Sequence, residues 1–106
     1  MIIIRTTVPT EKDAHTIAER MVEARLASCA QFHQVRSVFR WQGSVQFESE
    51  FLVEIKTVPY LIDIIINEVK GIHPYELPVI EHFEVHANPE AEEWNSTETS
   101  SPIRKD

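Results

Sequence analysis

From Ser44 to Lys56 the chain keeps a strict two-residue period. Val45, Phe47, Ser49, Phe51, Val53 and Ile55 fall on one side of an extended backbone, and Ser44, Gln46, Glu48, Glu50, Leu52, Glu54 and Lys56 on the other. A helix cannot hold such a pattern, whereas a strand with two distinct faces produces it directly. The preceding stretch, Ala30 to Trp41, also lacks a helical period and is rich in Phe, Val and Trp. Between the two runs sits Gln42-Gly43, where glycine supplies the positive φ of a tight turn. The pair reads as one hairpin, each arm about twice the usual strand length of ~5–6 residues. A ribbon of that length reaches past any core that 106 residues can build, so its apolar surface calls for cover by another subunit.

The rest of the chain is arranged around that hairpin. Ile2-Ile3-Ile4 opens a buried strand over residues 2–7 that ends at Pro9. Thr10, with Asp13 three positions later, predicts a capped helix whose stripe is Ala14, Ile17, Ala18, Met21, Val22 and Leu26. After the hairpin, Thr57 is the expected cap of a second helix bearing Leu61, Ile62, Ile65, Val69 and Ile72, with Gly71 at its end. His73-Pro74-Tyr75-Glu76-Leu77-Pro78 is extended, because each proline pushes its predecessor out of the helical region. A last strand spans Val79 to His86, and Glu90 to Trp94 form a short helical turn. The order strand, helix, strand, strand, helix, strand is that of the α+β ferredoxin-like βαββαβ sandwich. We therefore expect a single domain over residues 1–94, and a flexible tail over the Ser-, Thr- and charge-rich residues 95–106.

Composition removes whole classes of function. The 17 acidic and 10 basic residues leave a net charge of −7, which argues against a nucleic-acid partner. With only 2 glycines there is no phosphate-cradling loop. No apolar run approaches the ~20 residues that cross a bilayer, and no membrane partner is expected. The N-terminus carries no secretory pattern, so the cytoplasm is the expected compartment. The single cysteine, Cys29, can form neither an internal disulfide nor a zinc site by itself, and it reads as a buried, inert small residue. His82, Glu84 and His86 recur every second residue, with Cβ atoms about 7 Å apart, and read as a solvated strand face. The aromatics Phe32, Phe39, Trp41, Phe47 and Phe51 lack the basic frame that base stacking requires, so packing between subunits is their better use. No nucleophile–base pair is recognisable, and no catalysis is expected.

Four segments in order carry a family resemblance: Leu26-Ala27-Ser28-Cys29-Ala30, Ser37-Val38-Phe39-Arg40-Trp41-Gln42-Gly43, Glu48-Ser49-Glu50-Phe51 leading to Lys56-Thr57, and His73-Pro74-Tyr75-Glu76-Leu77-Pro78. Together they resemble the CutA family of divalent-cation tolerance proteins over about residues 2 to 94. The resemblance implies a tight homotrimer of ferredoxin-like subunits, similar in architecture to PII signalling proteins. It implies a non-catalytic protein that binds divalent cations, copper foremost, with no organic cofactor. Of the ligands proposed in the family, Glu50 (with Glu48 beside it) and His73 are present, while Thr6 stands where the family carries a cysteine. A hydroxyl is a poor ligand for soft Cu(I).

For His73 two readings stand open, a metal ligand or a cap on the last carbonyls of the second helix. The resemblance also implies a cleft between subunits lined by Trp41, Glu48, Lys56 and Tyr75. In that cleft a PII-like sensor would take a small metabolite, which is the alternative function. Ala91-Glu92 replace the family's Tyr-Leu before Trp94, so the last helix is expected to be weakly anchored.

Overall fold

The computed structural model describes residues 1–102. Strand β1 (Ile2–Val8) lies at the centre of a four-stranded antiparallel sheet, where Ile2, Ile4, Thr6 and Val8 are buried. Helix α1 (Glu11–Glu23) starts as its sequence dictates: Thr10 Oγ1 accepts the Asp13 N–H at 3.1 Å and donates to Asp13 Oδ2 at 2.7 Å. It stops where Arg25 turns left-handed (φ 62), which lets the Leu26 N–H reach back to the Met21 carbonyl at 3.0 Å. Leu26 is therefore buried one residue beyond that turn and is not the last member of the helical stripe.

Strands β2 (Cys29–Trp41) and β3 (Ser44–Thr57) form the expected hairpin, paired from Cys29 opposite Lys56 to Trp41 opposite Ser44. Gln42 (φ 50) and Gly43 (φ 84) are both left-handed, as the turn that matches strand twist demands. A 3-10 turn (Pro59–Leu61) leads into α2 (Ile62–Ile72), and β4 (Ile80–Glu84) returns along the free edge of β1. The sheet order is β2-β3-β1-β4. The core gathers on the helix side: Ile4, Val53 and Ile55 pack with Ile17, Met21, Leu61, Ile65 and Val69. The α+β ferredoxin-like sandwich is thus in place. Its radius of gyration, 14.6 Å, exceeds the ~13 Å of a compact chain of this length, because the hairpin extends the molecule to 49 Å.

Three local expectations need correcting. Thr57 does not cap α2: its buried hydroxyl donates to the Leu26 carbonyl at 2.7 Å. Gly71 does not end α2 either, since the helix runs through Ile72 and breaks at His73 (ψ 133), the residue before Pro74. Most consequentially, residues 95–100 are not a loose tail. Helix α3 (Pro89–Glu98) runs beyond Trp94, and Asn95 is only 1% exposed. The Asn95 amide donates to the Thr57 carbonyl at 2.8 Å and its oxygen accepts from Ser28 Oγ at 2.6 Å. The Ser100 N–H adds a bond to the Arg25 carbonyl at 2.8 Å. The last helix is anchored by this polar latch, while Trp94 stays half-exposed. The expected flexibility of residues 103–106 lies outside the described residues.

The latch makes a direct prediction. Asn95→Ala leaves the Thr57 carbonyl and the Ser28 hydroxyl without their partner, a loss of about 2 kcal/mol. Urea unfolding should show a lower midpoint at unchanged slope, whereas an unmoved midpoint would return this segment to the status of a tail.

Candidate functional site

Thr6 is the one polar side chain on the buried face of β1, and a hydroxyl placed among Ile2, Ile4 and Val8 must find partners. It donates to the Val79 carbonyl at 2.7 Å and lies 3.0 Å from His73 Nε2. The same ring nitrogen lies 3.0 Å from the Thr7 carbonyl, and His73 Nδ1 accepts the Tyr75 N–H at 3.1 Å. These partners assign the tautomer. A carbonyl can only accept and an amide N–H can only donate, so the proton sits on Nε2 and the lone pair on Nδ1. His73 stands at the C-cap position of α2, but its ring bonds none of that helix's last carbonyls. It is tied to β1 by one nitrogen and to its own loop by the other.

Tyr75 carries the cluster on to β3. Its hydroxyl donates to Glu50 Oε2 at 2.5 Å, a short charge-assisted bond, and the rings of His73 and Tyr75 lie 5.2 Å apart. Glu50 is only 5% exposed despite its charge, because the 73–79 loop folds over it where β1 has already ended. Burial comes first in displacing both titrating partners. It holds the His73 imidazole below its ordinary value, opposed by the Thr7 hydrogen bond and by the charges of Asp13 and Glu50. It pushes the Tyr75 phenol upward, and the Glu50 hydrogen bond and the charges of Glu50, Glu48 and Asp13 push the same way.

Of the expected site residues, His73, Glu50 and Tyr75 are brought together, with Glu48 near enough for its charge to act on Tyr75. Trp41 and Lys56 are not. Trp41 sits opposite Ser44 and Lys56 opposite Cys29, each six positions along β3 from Glu50, or about 20 Å, in opposite directions. A cleft using all four residues requires a second chain. Two hollows on the surface of one chain lie along α1, lined by Thr16, Glu19, Arg20, Glu23 and Ala24 and by His15, Val22, Phe32 and neighbours, and neither includes a site residue. His82 and Glu84 face Ile4 and Ile2 across the β1–β4 pairing, exposed, while His86 lies past the end of the strand.

The participation of Asp13, Thr7 and Val79 was not apparent from the sequence. Thr6 was discernible: a lone hydroxyl at an inward position of an Ile-rich strand signals a buried partner.

As a donor set, one imidazole, one carboxylate, a phenol and a hydroxyl suit a borderline divalent cation and not a soft one. Among the described residues no three His, Cys, Asp or Glu side chains form a metal-holding group. One chain therefore offers no complete coordination shell: His73 and Glu50 are tied to opposite ends of Tyr75, its backbone N–H and its phenol.

A family described as CutA1 divalent ion tolerance protein matches residues 2–98. The divalent-cation tolerance protein CutA of Thermus thermophilus is 39% identical over 79 residues, which are 74% of this chain and 77% of that protein. Protein CutA of Homo sapiens is 40% identical over 72 residues, 67% of this chain but only 40% of the human protein. The crystal structure of CutA1 from Pyrococcus horikoshii superposes with a TM-score of 0.91 at 27% identity, covering 95% of this chain and 100% of that one.

The His73 network gives a pH prediction. In the unfolded chain His73 takes its proton near the ordinary value of ~6.5, but in the folded chain only at lower pH. Between those two values the unfolded state binds the extra proton, so stability is full above about pH 6.5 and falls as pH drops toward the folded value. His73→Gln should flatten that limb in unfolding curves measured at successive pH. An unchanged limb would assign the acid sensitivity to other groups.

Proposed function

The chain belongs to the CutA1 divalent ion tolerance family, and on that premise we propose that it is a non-catalytic homotrimer that binds divalent cations, Cu(II) foremost, in divalent-cation tolerance. The observation that carries this reading is the convergence of His73, Tyr75 and Glu50 at the end of β1, an imidazole and a buried carboxylate bound to one residue. Thr6 in place of a thiolate favours Cu(II) over Cu(I).

The absence of catalysis is supported by the direction of the hydrogen bonds. His73 presents an N–H, not a lone pair, to the Thr6 hydroxyl, whose own proton goes to the Val79 carbonyl, so Thr6 is not activated as a nucleophile. The trimer is supported by the hairpin tip. Val38 and Phe47, paired across the strands, are 64% and 75% exposed, and Phe39 and Trp41 are half-exposed on the opposite face of the ribbon. An apolar tip on both faces needs cover, and subunit association supplies it. The lone thiol of Cys29 fits a reducing compartment, and we assign the protein to the cytoplasm.

A second reading, a PII-like sensor of a small metabolite, draws on the half-exposed Trp41 indole. Packed against a neighbouring chain, the tip would bring that ring toward Glu48, Tyr75 or Lys56 of another subunit.

Native mass spectrometry with and without stoichiometric Cu(II) tests the proposal. A trimer with one copper per chain is expected, with uptake abolished by His73→Ala, weakened by Glu50→Gln and falling only at a pH below the ordinary histidine value of ~6.5, where the folded imidazole takes its proton. A trimer without copper uptake shifts the function to the metabolite cleft, and Trp41→Ala and Lys56→Ala then become the variants that matter. A monomer overturns the assembly, and recovery from a periplasmic fraction overturns the compartment.

A further inference from the structure

The segment Asn95-Ser96-Thr97 is the one Asn-x-Ser/Thr triplet of the chain, the spacing that N-linked glycosylation requires of an acceptor. Acceptors in use lie on the surface, because the product carries a bulky saccharide. Here Ser96 and Thr97 are exposed, but Asn95 is buried. Its reacting atom is the amide nitrogen Nδ2, which the latch already uses: Nδ2 donates to the Thr57 carbonyl at 2.8 Å, while Oδ1 accepts from Ser28 Oγ at 2.6 Å. The next turn closes over it, since the Thr99 hydroxyl, in a residue only 5% exposed, donates to the Asn95 carbonyl at 2.9 Å. We propose that Asn95 is a masked N-glycosylation acceptor: a saccharide on Nδ2 and a docked α3 exclude one another, so the chain reaches this fold only where oligosaccharyl transfer does not act on it.

The transfer takes a lipid-pyrophosphate-linked oligosaccharide as donor. Asn95 Nδ2 bonds to the anomeric carbon of the sugar, the anomeric C–O bond breaks, the pyrophosphate leaves with the electron pair, and the amide gives up one proton. One N–H survives on the product, so the hydrogen bond to Thr57 is not what fails. Space fails: Asn95 is 1% and Thr57 0% exposed, and a close-packed interior has no volume for a saccharide between them. The exclusion also runs the other way. Helix α3 holds the triplet through Glu98 with both amide atoms engaged, so a transferase finds its acceptor only before the latch closes. Closure waits for Asn95 to be made and then spans 67 and 38 positions back to Ser28 and Thr57, which leaves the triplet open to a co-translational catalyst. This inference stands on the latch and bears on the compartment assigned above, independently of the cation reading.

The test places the intact chain behind a cleavable secretory leader in a eukaryotic host and compares it with cytosolic protein, by mass spectrometry at Asn95 and by urea unfolding. Asn95 should be occupied in the translocated chain and bare in the cytosolic one, and the glycosylated protein should unfold at a lower urea midpoint. Thr97→Ala, which removes the acceptor hydroxyl at an exposed position, should abolish the glycan and restore the cytosolic midpoint. An occupied Asn95 with an unmoved midpoint means that the fold tolerates the sugar, and it overturns the proposal. So does a translocated chain with Asn95 bare, or transfer to the purified folded protein by added transferase and donor. If the glycosylated chain is degraded before purification, protease treatment of permeabilised microsomes reads the same difference. Cleavage within residues 89–98 of the glycosylated chain, and not of Thr97→Ala, is expected there, and equal resistance overturns the exclusion. Every one of these outcomes leaves the cation and trimer readings to the copper experiment above.

Discussion

The register of β1 between β3 and β4 is the constraint on which the rest depends. Ile4 lies opposite Ile55 on one side and His82 on the other, and Thr6 lies opposite Val53 and Ile80. This phase puts Ile2, Ile4 and Val8 into the helix-covered core and carries Thr6 in with them. A slip of one residue would turn Arg5 inward and Thr6 outward. The Thr6 hydroxyl would then lose the Val79 carbonyl and His73 would lose its anchor, so core packing and site geometry are set by the same pairing. On the opposite face Arg5 lies over the Phe83 ring at 5.0 Å and pairs with Glu81 at 2.6 Å, exposed contacts that reinforce the register more than they stabilise the chain.

Local rules were enough wherever the physics was local. The capping of α1 by Thr10 and the left-handed Gln42-Gly43 turn appear in the structure as the residues dictate, and the alternation through Lys56 becomes β3. Where tertiary partners compete, local rules fail. Thr57 has the chemistry of a helix cap, but the Leu26 carbonyl claims its hydroxyl. Asn95 begins a stretch of tail-like composition, yet Ser28 and the Thr57 backbone give it a buried role. The site divides in the same way. His73, Glu50 and Tyr75 were visible as residues, but the tautomer of the imidazole depends on the Thr7 carbonyl and the Tyr75 amide, which no motif records. Trp41 and Lys56 share a strand pair with Glu50 and stand far from it in a single chain, because strand geometry sets distance by position.

Among the described residues, two polar networks reach into this small domain, and they act differently. The Ser28–Asn95–Thr57 network fixes where α3 docks, in a helix whose apolar face is too poor to choose a position for itself. The Thr6–His73–Tyr75–Glu50 network leaves its last two members at the end of the sheet, covered only by an irregular loop. One network fixes the docking of α3, and the other ties the 73–79 loop to β1 and β3.

The spacing of the sheet partners along the chain also sets the order in which the molecule assembles. The β2–β3 ribbon closes around a two-residue turn and needs no distant contact, so it zips on the timescale of an isolated hairpin, about 1–10 μs. The β1–β4 ladder joins Ile2 to Glu84, a loop of some 80 residues whose closure entropy must be met before any bond forms. The His73 loop leads directly into β4 and borrows Thr6 and Thr7 from β1. The Thr6–His73–Tyr75–Glu50 cluster therefore depends on long-range pairing, whereas the ribbon depends on local pairing alone.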